Sequence, residues 1–164
     1  MRLDQAFSDS FTRFPDSPAI IEGNRACTYS QLHARVERLA GALASRGVSS
    51  GDHVVYVSAN SAVFAELTLA CSRIGAVCEI HNIRLSDQTL LELIARSGAS
   101  LAVLSADAWD RLGPHLPSSG SIETTVVFGH EDDLLDDAIP YEEFLEGAPR
   151  RPTKSRRMTR IPCS

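Results

Sequence analysis

Four sets of residues have types and spacing that chemistry could use. Glu131-Asp132-Asp133 and Asp136-Asp137 flank Leu134-Leu135, and clustered carboxylate oxygens are what a hard cation binds. The competing reading is a solvated loop ahead of the helix that Pro140 begins. Pro117-Ser118-Ser119-Gly120-Ser121 is the one stretch whose Ser and Gly content suits a phosphate cradle. Cradles of that kind work because converging backbone N–H groups carry no side-chain bulk, and they set a Lys beside the phosphates. No Lys lies near this stretch, and neither Gly-x-Gly-x-x-Gly nor a Walker sequence occurs. It therefore reads as a polar surface loop. The cysteines are Cys27, Cys71, Cys78 and Cys163. They form no Cys-x-x-Cys, and three fall in elements expected to be core, so neutral thiols are expected rather than a zinc site or a disulfide. His33, His53, His81, His115 and His130 are scattered. Two of them could meet in space, but satisfied or solvated imidazoles are the ordinary outcome. Trp109 could stack a base; packing against a core is the plainer expectation.

The elements that must position these residues follow from patterning. Leu3 to Phe14 reads as a helix stopped by Pro15. Ala19 to Thr28 reads as a β-hairpin with Gly23-Asn24 at its turn. Thr28-Tyr29-Ser30-Gln31 has capping-box spacing, and Leu32, Val36, Leu39 and Leu43 mark one face of the helix it opens, closed by Gly47. His53 to Val57 is a β-branched run of the kind buried on both faces. Asn60 is expected to cap the next helix, with Val63, Phe64, Leu67, Cys71 and Ile74 on its buried face and Gly75 at its end. Ala76 to Ile80 reads as a strand. Ser86 or Asp87 opens a helix carrying Leu90, Leu91 and Ile94 and closed by Gly98. Leu101 to Leu104 and Thr125 to Phe128 read as strands, with a short helix after Ser105. Strands alternating with helices imply an α/β fold with a mainly parallel sheet flanked by helices. Glu79 does not suit a buried strand unless it is paired. Either His81 is its partner or the strand ends at Cys78.

The ordered series resembles a known family. It runs from "PAI" through "TYSQL", "GDHVVYVSANSAVF" and "SRIGAV" to "NIRLS", and it is similar to the N-terminal subdomain of AMP-forming, adenylate-forming enzymes: acyl-CoA synthetases, luciferases and the adenylation domains of peptide synthetases. Tyr29-Ser30-Gln31-Leu32 stands where the family has Tyr-x-Glu-Leu, and Gly75-Ala76-Val77 where it has Gly-Ala-Val/Ile. Asn82-Ile83-Arg84-Leu85 replaces Asn-Pro-Arg-Leu in the manner of fatty-acyl-CoA ligases. The resemblance covers about residues 3 to 146. It implies a family reaction in which ATP, Mg2+ and a carboxylic (fatty) acid give an acyl-adenylate, whose acyl group then passes to CoA. It also implies that Asn82 and Arg84 lie on a CoA-facing loop, where an Arg could meet a CoA phosphate. The alternative is that both residues only shape the loop. The family's phosphate loop with its Lys, its ribose-binding acid and its catalytic Lys have no counterpart here, so this chain alone is expected to bind none of these cofactors and to be inactive.

Charge sets the last fifteen residues apart. Residues 1–149 carry ten Arg and 21 acidic residues, a formal charge of −11; residues 150–164 carry five Arg, one Lys and no acid, a charge of +6. The division expected is a partial AMP-binding domain over 1–149 and a basic, disordered, aberrant tail over 150–164. Written in GC-rich codons and read two bases later, Pro152 to Ser164 becomes an acidic Asp-Asp-Pro run with an apolar end. Segments of that kind precede the phosphate loop in these ligases, so a frameshift near Pro149 to Pro152 is expected. The acidic body repels nucleic acid and the tail has no aromatic residue to stack a base, so nucleic acid is not an expected partner. No apolar stretch approaches the roughly 20 residues that cross a bilayer, and Met1 to Phe14 lacks a signal pattern. The expected compartment is cytoplasmic. A half-built sheet would leave apolar surface exposed, so the alternative function is a non-catalytic interaction module, associating with itself, a related ligase or chaperones, or a pseudoenzyme remnant.

Overall fold

The computed structural model describes residues 3–118, 120–129 and 138–147. Helix α1 (Leu3–Arg13) leads to a hairpin of β1 (Pro18–Glu22) and β2 (Arg25–Thr28), which pair antiparallel with Glu22 opposite Arg25. Helix α2 (Tyr29–Ser45) starts from the capping box that the spacing predicts: Gln31 N–H donates to Thr28 Oγ1 at 3.2 Å, and Thr28 N–H donates to Gln31 Oε1 at 2.9 Å. Such a box satisfies two donors that the first turn would otherwise leave bare. The chain then alternates through β3 (His53–Ser58), α3 (Ala62–Ile74), β4 (Val77–Asn82), α4 (Asp87–Ser97), β5 (Leu101–Ser105), α5 (Ala106–Leu112), a 3-10 turn (Gly113–Ser118) and β6 (Thr124–Phe128). It returns as β7 (Ile139–Pro140), which runs directly into α6 (Tyr141–Leu145).

The five later strands form one parallel sheet in the order β4-β3-β5-β6-β7. Strand β3 is interior, flanked by β4 and β5, which explains its unbroken apolar run: Val54, Val55, Tyr56 and Val57 are all buried. The two faces fill different cores. Val54, Tyr56, Leu101, Val103 and Val126 pack under α2, α3 and α6, forming the upper core, whereas Val55, Val57, Ala102 and Leu104 pack under α4 and α5, forming the lower core. Leu32, Val36, Leu39 and Leu43 are buried as their spacing predicts. Burying a leucine fully stabilises by about 1.5–3 kcal/mol.

Three expectations need correction. The fold places β4 at the edge of the sheet and runs it to Asn82, so Glu79 sits on a strand with one open side and is only partly buried. Helix α3 buries Glu66, Leu67, Leu69, Ala70 and Cys71; Phe64 is exposed, and Val63 and Ile74 are half-buried. Asn60 does not cap α3. Ser61 holds the cap position without a side-chain bond, and Glu22 Oε1, from the hairpin, accepts Ala62 N–H at 3.3 Å.

Glu66 is buried because two partners meet it. Arg35 Nε–H of α2 donates to its Oε1 at 2.7 Å, and the Tyr141 hydroxyl of α6 donates to its Oε2 at 2.7 Å. The same Arg35 grips Glu142 with both terminal nitrogens, at 2.7 and 3.0 Å, and its guanidinium lies over the Tyr141 ring. The hydrogen bonds to Glu142 raise the Arg35 pKa, and desolvation pushes Tyr141 well above the ordinary phenol value. The bond from Arg35 holds the Glu142 carboxyl below the usual carboxylate range, and the Ser49 hydroxyl does the same to Asp52.

Two predictions follow from this packing. Gly75 closes α3 at φ +78°, and a Cβ there would stand 2.7 Å from Ser50 Oγ, whereas Gly98 closes α4 at φ +67° into open space. Gly98→Ala should cost about 1–2 kcal/mol of left-handed strain alone; Gly75→Ala should cost about 1 kcal/mol more, read from urea midpoints. The second concerns pH. A carboxyl whose pKa is depressed on folding contributes stability above its unfolded value and loses it as pH falls through the folded one. Stability should therefore drop between about pH 5 and pH 3, and Glu142→Gln should flatten part of that drop in pH-resolved thermal melts, Asp52 accounting for a remainder.

Candidate functional site at the carboxyl edge of the sheet

All four long parallel strands point their carboxyl ends to one edge, where the turns after Ser58, Asn82, Ser105 and Phe128 gather. Open parallel sheets bind ligands at that edge, because helix N-termini and loops converge there. The turn after β4 carries the two residues that the sequence singles out. Asn82 Oδ1 accepts Arg84 N–H at 3.0 Å, and Asn82 C=O accepts Leu85 N–H at 3.0 Å. This side-chain turn aims Ile83 into the lower core and leaves Arg84 exposed. Ser86 then caps α4 by accepting Thr89 N–H at 3.2 Å. Among the described residues, no hydrogen bond or ion pair engages the Arg84 guanidinium.

A residue that the sequence does not advertise holds this turn in place. Arg111, on α5, donates from Nη1 to Ile83 C=O at 2.7 Å, from Nη2 to Leu85 C=O at 3.0 Å, and from Nε to Asp87 Oδ1 at 2.8 Å. Its Nη2 also pairs with Asp87. One planar fork thus fixes the carbonyls on either side of Arg84, as guanidinium geometry allows and an ammonium would not. Asp87 gains further from standing in the first turn of α4.

The turn between β3 and α3 is closed from within. The Tyr56 hydroxyl lies 3.0 Å from Ser61 Oγ and donates to Ala59 C=O at 3.3 Å, while its ring stacks on Phe128 at 6.1 Å between centroids. The α3 N-terminus faces the Glu22 carboxylate, which would repel an incoming phosphate. The residues present therefore do not fit a nucleotide triphosphate at that helix, and no described loop supplies a Lys.

The other sequence candidates separate. Glu79 Oε2 lies 2.8 Å from His53 Nδ1, and Glu79 Oε1 lies 3.5 Å from His81 Nε2, so two of the five histidines meet around one carboxylate. His53 is the nearer partner and His81 the more buried. Trp109 is half-buried against the lower core and covers Gly113. The acidic cluster at 131–137 and the basic tail at 150–164 lie outside the described residues. No group of three metal-ligating side chains occurs among the described residues, and no described helix is long and apolar enough to cross a membrane.

A family model described as "AMP-binding enzyme" matches residues 7–158. Feruloyl-CoA synthase of an Amycolatopsis species is 39% identical over 89 residues, covering 54% of this chain and 18% of that protein. A fatty acid–[acyl-carrier-protein] ligase of Streptomyces coeruleorubidus is 33% identical over 118 residues, covering 70% of this chain and 22% of that protein. The crystal structure of a putative long-chain-fatty-acid CoA ligase from Rhodopseudomonas palustris superposes with a TM-score of 0.80 at 27% identity, over 88% of this chain and 36% of that one. The chain thus spans about a fifth of the length of these two curated relatives.

Arg111→Met keeps much of the stem and removes the fork. It should leave the sheet folded while amide hydrogen exchange at Arg84 and Leu85 accelerates by about tenfold, the effect of losing about 1.4 kcal/mol of local protection. Unchanged exchange at those two amides would show that the turn holds without Arg111.

Proposed function

This chain belongs to the AMP-binding enzyme family, and from that premise we propose that it forms the N-terminal scaffold of an acid–CoA ligase, with Asn82 and Arg84 presented to a phosphate of CoA. One observation carries the reading: an exposed guanidinium without a described partner, on a turn that Asn82 and Arg111 both brace, at the edge where open parallel sheets commonly bind ligands. A cation held by its backbone and left open at its head suits recognition of a diffusible anion. The family assignment supplies ATP, Mg2+ and a carboxylic acid as ligands of the larger assembly; the class of acid proposed is fatty. On this reading the chain alone performs no adenylation, because no described residue offers a phosphate-gripping Lys. Its proposed compartment is the cytoplasm, where ATP and CoA are supplied. The test is titration of the chain with adenosine 3′,5′-bisphosphate, the phosphate-bearing end of CoA, at low salt and followed by NMR. Amides of residues 82–85 should shift, and Arg84→Gln should weaken binding about tenfold, the value of a charge-assisted hydrogen bond of about 1.5 kcal/mol. Equal affinity in the variant, or shifts confined to other arginines, would overturn the assignment.

A second reading is favoured by the sheet edge. Val77 and Ile80 on β4 are 42% and 51% exposed, beside a row of backbone groups that no described strand pairs. Such an edge is a template for another strand. As a non-catalytic module, the chain would self-associate there. Sedimentation should then show a dimer that Ile80→Lys reduces to monomer; a monomer before substitution removes this reading.

A further inference from the structure

The α3–β4 corner holds two thiols that the proposed function does not use. Cys71 lies in the last turn of α3 and is 1% exposed; Cys78 lies at the second position of β4 and is half-buried. Backbone geometry aims them at each other. The Cys71 carbonyl accepts Ala76 N–H at 2.9 Å and also Gly75 N–H, which folds the chain back on itself directly after the helix. Cys78 pairs in register with Val54, so its side chain enters the same core as Cys71, under α3. There the two thiols hydrogen-bond to each other, and the Thr68 hydroxyl bonds to Cys78. Both sulfurs are in the free form.

We propose that Cys71 and Cys78 form a dithiol site that a hydroperoxide converts to an intramolecular disulfide, with Cys78 as the attacking thiol and Cys71 as the resolving one. The roles follow from placement. Cys78 sits on the open edge strand between exposed Val77 and Ile80, where a small oxidant can reach it. Cys71 is enclosed and can meet only what Cys78 brings. The hydrogen bond from Cys71 favours the thiolate at Cys78 and holds the proton on Cys71, so Cys78 ionises more readily than an ordinary thiol. In the first step the Cys78 thiolate attacks the terminal oxygen of the hydroperoxide. An S–O bond forms, the O–O bond breaks, and alkoxide or hydroxide leaves, giving the sulfenic acid. In the second, Cys71 gives up its proton and its sulfur displaces the Cys78 hydroxyl; the S–S bond forms and water leaves. The two thiols lose two electrons in all, and the hydroperoxide gains them. The product staples the end of α3 to the strand that carries Asn82, so oxidation would tighten the base from which the Arg84 turn projects.

The full chain treated with stoichiometric hydrogen peroxide, alkylated and digested without reductant should give a single cross-linked peptide pair joining Cys71 to Cys78. Reduced protein should bind one equivalent of phenylarsine oxide, a reagent that bridges adjacent thiols. Cys71→Ser and Cys78→Ser should each abolish that binding, and Cys27→Ser should leave it unchanged. Dimedone should trap a sulfenic acid at Cys78 in Cys71→Ser. A disulfide through Cys27 or Cys163, a sulfenic acid trapped first at Cys71, or an arsenical stoichiometry that survives either substitution would overturn the proposal. Loss of fold in Cys71→Ser would remove only that variant, because the wild-type cross-link and Cys78→Ser decide the question without it.

Discussion

The upper half of the molecule is organised by one buried carboxylate. An ionised Glu taken out of water costs several kcal/mol unless charge and hydrogen bonds are returned to it. Glu66 receives both, from Arg35 on α2 and Tyr141 on α6. That requirement fixes the roll of α3, which must turn Glu66 inward and therefore turns Phe64 out. It also fixes where the chain comes back after residue 137, since β7 and α6 have to deliver Tyr141 and Glu142 to the same guanidinium. Breaking such a pair from one side leaves a charge stranded, which is why the cluster behaves as a unit rather than as three separable contacts.

The candidate site is arranged by a second arginine under a similar principle. Arg111 spends its donors on main-chain carbonyls and on Asp87, while Arg84, between the two carbonyls it holds, is left facing solvent. One cation is structural and its neighbour is available because the first has already satisfied the backbone. The closed turn at Tyr56 and Ser61 sharpens the contrast: there the polar groups bond one another, and Glu22 supplies the negative charge that an anionic ligand would otherwise bring.

How much of this could be read from the sequence depends on the range of the forces involved. Local rules carried far. The Thr28–Gln31 box, the Ser86 cap, the glycines ending α3 and α4 and the four buried positions of α2 all follow from contacts within a few residues, and all are present. The parallel pairing of β3, β5 and β6 follows from alternation, whereas Asn82 and Arg84 stand out only through the family resemblance. What periodicity missed depends on partners far along the chain. Glu66 looks like a solvent-facing residue until Arg35 and Tyr141 are placed beside it. Phe64 looks buried until they claim the inward face. Glu79 looked costly because nothing local says that β4 is an edge strand. Arg111 gives no sign of its role, since its three acceptors lie more than twenty residues away. The two-residue β7 is too short for any pattern to mark.

The separations within the Glu66 cluster also set an order of assembly. Arg35 and Glu66 are 31 residues apart, Glu66 and Tyr141 are 75 apart, and Arg35 and Glu142 are 107 apart. As the polypeptide leaves the ribosome, the charge on Glu66 can be answered by Arg35 long before the phenol that completes its shell has been translated. The nascent α2–α3 pair would therefore wait half-finished, with α6 as the closing piece. Closure of this cluster would be gated by the arrival of α6, and an interruption of translation between Glu66 and Tyr141 would leave that pair unclosed.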